Sequence, residues 1–343
     1  MPTPELETTA RAIVADGKGI LAADETPGTL TKRLDVRGIE STPDIRRAYR
    51  EMFFTTSGVA EYISGVILQD ETIRQRSSTG TPLSHLLTEQ GIIPGIKVDR
   101  GAKPFARFPG EHITEGLDGL RDRLEEYRAM GARFAKWRAV IEVSDMRPSA
   151  SCVRVNAHAL ARYAAICQEQ GIVPIVEPEV LMDGSHTIER CEEVTGHVLH
   201  AVFDALFEQK VSLEAMLLKP NMVISGAGCA THATVDEVAR ATTRCLRRHV
   251  PAAVPGIVFL SGGQDHLMAT LHLNAINHVE GPKPWTLSYS YGRALQDEAL
   301  KAWRGRQEYL ADAQHAFNHR TKCDSAAALG RYTSAMETES AVA

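Results

Sequence analysis

No run of 18 apolar residues occurs in this 343-residue chain, so no membrane-spanning helix is expected. The opening Met1-Pro2-Thr3-Pro4-Glu5-Leu6-Glu7 lacks both a basic n-region and an apolar h-region, so it is not expected to be a signal peptide. Cysteine is sparse: six residues stand at 152, 167, 191, 229, 245 and 323, and no two form a C-x-x-C pair. That pattern argues against a disulfide scaffold and for reduced core thiols in a cytoplasmic protein, with Cys167 and Cys245 on apolar helix faces. H-E-x-x-H is absent. Neither His197 with His200 nor His266 with His272 has a carboxylate spaced to complete a ligand set, so no metal is expected. An excess of positive charge is also missing. A net charge of -5 and a pI near 6.2 speak against nucleic acid or an acidic membrane surface as the main partner.

What is present is a rhythm. Short apolar runs closed by polar turns alternate with helical stripes. Runs of this kind read as buried parallel strands. They fall at 19–23, 65–68, 92–96, 134–138, 172–176, 215–219, 256–260 and 285–289. Between them, Leu117, Leu120, Leu124 and Tyr127 repeat at helical spacing, as do Cys191, Val194, Val198, Val202 and Leu206. Thr42-Pro43 reads as an N-cap followed by proline at the first helical position. Thr234 with Glu237 reads as a capping box. Asp24 to Thr29 reads as a polar turn. Eight β–α units without a linker favour an α/β (β/α)8 barrel over residues 1–329, followed by a small, polar and mobile C-terminal tail over 330–343.

The strand ends are chemically loaded. The run Ala215-Met216-Leu217-Leu218 stops at Lys219, because Pro220 cannot continue a ladder. A lone strand-end lysine is usually just solvated; this one has company. In a barrel, Asp24, Lys97, Lys136, Arg138, Glu177, Glu179, Lys219, Ser261 and Arg293 would converge on one mouth. An amine that loses hydration beside a second cation becomes nucleophilic, and Lys219 with Lys136 suits that pattern. The carboxylates Asp24, Glu177 and Glu179 can carry protons to and from a carbinolamine. Ser261-Gly262-Gly263 and Gly292-Arg293 follow the last two strands, the usual place for a barrel phosphate site. Asp24 to Thr29, with Lys97 and Arg33, offers a second one.

These segments resemble class I fructose-1,6-bisphosphate aldolase, the metal-independent, Schiff-base type, over nearly the whole chain. The resemblance rests on Leu21-Ala22-Ala23-Asp24-Glu25, Gly95-Ile96-Lys97-Val98-Asp99 and Phe134-Ala135-Lys136-Trp137-Arg138. It rests further on Ile172 through Glu179, Leu217 through Met222, Phe259 through Gln264 and Ser290 through Gln296. It implies an aldehyde-lyase without a cofactor, acting on a phosphorylated sugar, cytoplasmic and homo-oligomeric, with a tetramer expected. Position by position, it implies Lys219 as the Schiff-base lysine and Glu177 as the acid/base for the carbinolamine. Asp24 would take the C4-hydroxyl proton, and Lys136 would be a neighbouring cation held by Glu179. Ser261, Gly262, Gly263, Ser290, Gly292 and Arg293 would cradle the C1 phosphate. Lys97, Arg138, Thr26, Thr29 and Arg33 would meet the remaining substrate charge.

Two departures stand out. The family's turn D-E-S-T-G-S is here Asp24-Glu25-Thr26-Pro27-Gly28-Thr29, which keeps the hydroxyls but adds methyls and a proline at the C6-phosphate side. Many members also end in a tyrosine that helps protonate the enamine, whereas this chain ends Ala341-Val342-Ala343. The rival readings are a sedoheptulose-bisphosphate aldolase, a transaldolase, or a catalytically silent binding protein on the same fold. The silent reading predicts loss of Lys219, Glu177 or Asp24, and all three are present.

Overall fold

The computed structural model describes residues 4–338. The strands are β1 (Gly19–Ala22), β2 (Ile63–Leu68), β3 (Ile93–Lys97), β4 (Ala102–Pro104), β5 (His112–Thr114), β6 (Phe134–Ile141), β7 (Val173–Val180), β8 (Leu217–Leu218), β9 (Gly256–Phe259) and β10 (Thr286–Tyr291). All but β4 and β5 form a closed parallel barrel, in which β10 pairs back onto β1. The expected barrel is therefore present, with each expected strand in place. β4 and β5 form an antiparallel hairpin between β3 and β6 that the apolar runs do not announce. No helix among the described residues is long and apolar enough to cross a membrane.

The barrel interior is built by the period-2 alternation of strand side chains. Ile20, Ala22, Ile67, Phe134, Val173, Ile175, Leu217 and Val258 form one apolar cluster inside it. Helix Pro4–Ile13 adds Leu6, Ala10, Ile13 and the following Val14 to the same cluster and so plugs the N-terminal end. Residues of the opposite phase face the surrounding helices. Trp137, for example, is fully buried against Tyr163, with ring centroids 5.5 Å apart.

Phe134 fits because β3 offers a glycine. A Cβ on Gly95 would lie 2.2 Å from the Phe134 ring. Gly95→Ala is expected to destabilise the barrel by about 3 kcal/mol through overpacking. Urea unfolding would measure the loss, and Gly95→Ala combined with Phe134→Leu should recover part of it.

Two readings of the sequence need correction. Asp24 to Thr29 is not a simple turn: a helix spans Pro27–Asp35, with Thr26 as N-cap and Pro27 in its first turn. A proline there costs nothing, since that N–H has no intrahelical partner. In addition, β6 and β7 run past their expected ends, pairing from Phe134↔Val173 to Ile141↔Val180. Glu177 and Glu179 therefore lie within β7, and Pro178 between them sits beside Ala139 in the ladder. Their charge reads as a strand end in sequence, but it is accommodated because both side chains point into the polar mouth.

Near the C-terminus, Tyr332 is buried and its hydroxyl donates to Glu337 Oε1 at 2.8 Å. Residues 339–343, the last five of the expected tail, lie outside the described residues.

Candidate active site

The alternation that puts Phe134 in the apolar interior puts Lys136 and Arg138 above it, at successive steps of roughly 7 Å. On β7 the same phase runs Val173, Ile175, Glu177, Glu179. Leu217 is followed by Lys219, Gly95 by Lys97, and Ala22 by Asp24. The apolar cluster thus gives way to a charged layer, and the mouth opens as a cavity of about 830 Å³ lined by these groups.

Four of them form a continuous buried chain. Lys136 Nζ lies 2.7 Å from Asp24 Oδ2 and 3.1 Å from Glu177 Oε2. Glu177 Oε1 in turn lies 3.1 Å from Lys219 Nζ. Lys136, Glu177 and Lys219 are each 2–3 % exposed. Burial by itself would push the two carboxyls up. The ammonium groups of Lys136 and Lys219 more than reverse that, holding Asp24 and Glu177 below their ordinary range. Burial likewise opposes charge on Lys136, yet Asp24 and Glu177 raise it well above an ordinary lysine. A fixed cation therefore sits between two fixed carboxylates, with the second amine at the end of the row.

Glu179 does not hold Lys136, contrary to the expected pairing. It lies one inward step further along β7 than Glu177, beside β6 Val140, and its carboxylate takes the Arg138 guanidinium instead. Lys136, one step lower, meets Asp24 and Glu177.

On one side of the mouth the groups are suited to an anion. Gly262 (φ +61°) and Gly263 (φ +95°) adopt left-handed backbone that disfavours a side chain. Gly292 is the N-cap of helix Arg293–Trp303 and offers no side-chain cap, leaving that helix's first N–H groups for a ligand. The Ser290 hydroxyl lines the cavity and is buried without a hydrogen-bond partner among the described residues. Ser261 and Arg293 complete the rim.

The opposite side is more committed. Thr26 Oγ1 caps its helix at Thr29 N, 3.3 Å away, and lies 3.0 Å from Thr29 Oγ1. Lys97 Nζ donates to Asp99 Oδ1 at 2.5 Å. Arg33 is bound by Glu25, by Asp297 at 2.7 Å and by Gln296 at 2.9 Å, so its charge is already balanced within the protein. The mouth also receives Lys32 and Arg37, which the reading of 24–29 as a turn missed. Thr26-Pro27 carries the same helix-start signature as Thr42-Pro43 and would have placed them.

This fold and this mouth define a barrel lyase. The family model for class-I fructose-bisphosphate aldolase matches residues 5–343, and the chain belongs to that family. It is 56% identical over 333 residues to the "Probable fructose-bisphosphate aldolase class 1" of Xanthomonas campestris pv. campestris, covering 97% of this chain and 99% of that one. It is 52% identical to the cytosolic fructose-bisphosphate aldolase 4 of Arabidopsis thaliana, covering 96% and 84% of the two chains. The solved fructose-bisphosphate aldolase of Plasmodium falciparum superposes with a TM-score of 0.94 at 48% identity, covering 96% of this chain and 95% of that one.

Proposed function

We propose that Lys219 is the Schiff-base lysine of this aldolase and that Glu177 and Asp24 move the protons. Glu177 takes a proton from the Lys219 ammonium, and the neutral amine attacks the C2 ketone of open-chain fructose 1,6-bisphosphate. Glu177, 3.1 Å from that amine, carries the proton with which the carbinolamine hydroxyl leaves as water. The resulting iminium accepts the electron pair of the breaking C3–C4 bond while Asp24 takes the C4-hydroxyl proton. Glyceraldehyde 3-phosphate departs, the enamine is protonated, and hydrolysis releases dihydroxyacetone phosphate and the free lysine. Lys136 keeps Asp24 and Glu177 ionised between turnovers. Ser261, Gly262, Gly263, Ser290, Gly292 and Arg293 hold the C1 phosphate. Lys97, Thr26, Thr29 and Arg138 meet the other end, and Arg33 braces that wall through Glu25 and Asp297. Holding both phosphates orients the scissile bond and supplies rate through positioning.

The observation that carries this reading is the buried row from Asp24 through Lys136 and Glu177 to Lys219. Borohydride added to the protein with fructose 1,6-bisphosphate and EDTA should leave a dihydroxyacetone-phosphate adduct on the peptide carrying Lys219. An adduct on another lysine, or none with activity that EDTA abolishes, would overturn the assignment. A cytoplasmic homo-oligomer, a tetramer by resemblance, completes the proposal. The cytosolic names of the Arabidopsis relatives support the location. Phe207, 84% exposed on helix Ile188–Glu208, is a side chain that a subunit contact would cover.

A further inference from the structure

Away from the mouth, helix Leu310–Ala328 carries His319 and Cys323 four residues apart on one face. Glu337, from the short helical turn Ser334–Glu337, brings a carboxylate against them. The ligand atoms of these three residues all lie within 4.8 Å of one another. None of the three lines the active-site cavity.

We propose that His319, Cys323 and Glu337 form a binding site for zinc or a similar thiophilic divalent cation, joining residues 332–337 to helix Leu310–Ala328. The spacing is the first argument. Cys323 Sγ and His319 Nε2 are 3.6 Å apart. Zinc–sulfur and zinc–nitrogen bonds of about 2.3 and 2.0 Å at a tetrahedral angle give a separation of about 3.5 Å. The donor set is the second: one thiol, one imidazole and one carboxylate, with water free to take the fourth position beside the half-buried His319.

The surroundings are the third argument. Glu337 is oriented by Arg320 and by the Tyr332 hydroxyl, one on each oxygen. Each carboxylate oxygen keeps a further lone pair, and outer partners of this kind commonly fix a metal-binding carboxylate. Binding sends the Cys323 thiol proton to solvent. The His319 proton moves from Nε2 to Nδ1, releasing the bond that Nε2 makes to the Met336 carbonyl at 2.8 Å. The set is not legible in sequence, because Glu337 is brought in by the fold.

Cobalt tests the site in the full chain, stripped of metal and held under a thiol-free reductant. One equivalent of Co²⁺ should produce a thiolate-to-cobalt charge-transfer band and intense tetrahedral d–d bands, both erased by Zn²⁺. Cys323→Ser should remove the charge-transfer band. His319→Gln, at a half-buried position that tolerates change, should weaken cobalt binding at least tenfold and abolish the zinc-dependent rise in Tm. It should leave aldolase turnover unchanged. Cys229→Ser, the control at a half-buried thiol elsewhere, should bind cobalt like the parent. No band at excess cobalt, a band that survives Cys323→Ser, or one lost with Cys229→Ser would overturn the proposal.

Discussion

Lys219→Met is expected to lower kcat by at least ~10⁴-fold, to abolish borohydride trapping, and to leave the fold and substrate binding in place. The chemistry follows from the bond that must break. Without an iminium, the electron pair leaving C3–C4 has no sink within the groups proposed to do the chemistry, so positioning and proton transfer act on an unactivated ketone. The structural cost is small for a specific reason. Lys219 shares Glu177 with Lys136, so Glu177 keeps a cation at 3.1 Å after the substitution. Methionine retains the apolar stem against the barrel wall. The phosphate cradle lies on other elements, the Gly262-Gly263 turn and the start of helix Arg293–Trp303. Calorimetric titration with fructose 1,6-bisphosphate should therefore give a Kd within a few-fold of the parent's. Turnover within tenfold of the parent would rule out Lys219 as the nucleophile, and loss of binding would show that the pocket had collapsed instead.

The parts of this molecule that are legible in sequence share a physical cause. A buried parallel strand must be apolar on both faces, so its run of Val, Ile and Leu is visible without knowing its neighbours. β7 and β9 announce themselves this way. β4 and β5 do not: Ala102, Lys103 and Pro104 are exposed, and three-residue strands on the surface carry no such signature. Local caps are equally legible when their signature is applied evenly. Thr234 with Glu237 forms the expected capping box. Thr26-Pro27 starts a helix just as Thr42-Pro43 does, but the polar residues around it suggested a turn.

The candidate site divides along the same line. Which side chains reach the mouth follows from period-2 alternation, so Lys136 with Arg138 and Glu177 with Glu179 can be read from the chain. Which charge meets which depends on strand stagger around the barrel, and sequence carries that weakly. This is why Lys136 is paired with Asp24 and Glu177 rather than Glu179. Glu25 goes unnoticed as a hub for a related reason, the packing of helices rather than of strands. It binds Arg33 and Arg50, 8 and 25 residues on, and it does so only because helices Pro27–Asp35 and Pro43–Phe54 pack against the same turn.

Lys136→Met should combine a large catalytic loss with a large, pH-dependent loss of stability. Glu177 is buried and Asp24 largely so, and Lys136 is the cation they share. Removing it leaves two carboxyls facing one another with their closest cation gone, and Lys219, Arg138 and Lys97 compensate only in part. Breaking a buried pair of this kind costs about 3–5 kcal/mol. In the parent, Asp24 and Glu177 titrate lower in the folded chain than their ordinary values of 3.8 and 4.5. The stability they contribute is thus present above those values and lost as pH falls through the acidic range. Lys136 titrates higher than its ordinary 10.5, so its contribution is present below that value and lost only in strong alkali. The gap in stability between parent and variant should be widest near neutrality and should narrow below about pH 4. In the variant at least one carboxyl should hold its proton at neutral pH, which removes the base and lowers kcat by ~10²–10⁴-fold. Residual activity should climb with pH as that carboxyl ionises. Equilibrium unfolding at pH 4 and pH 7, with a pH–rate profile, tests both halves. A stability gap equal at the two pH values, or a flat profile, would mean that Lys136 does not govern the charge on Asp24 and Glu177.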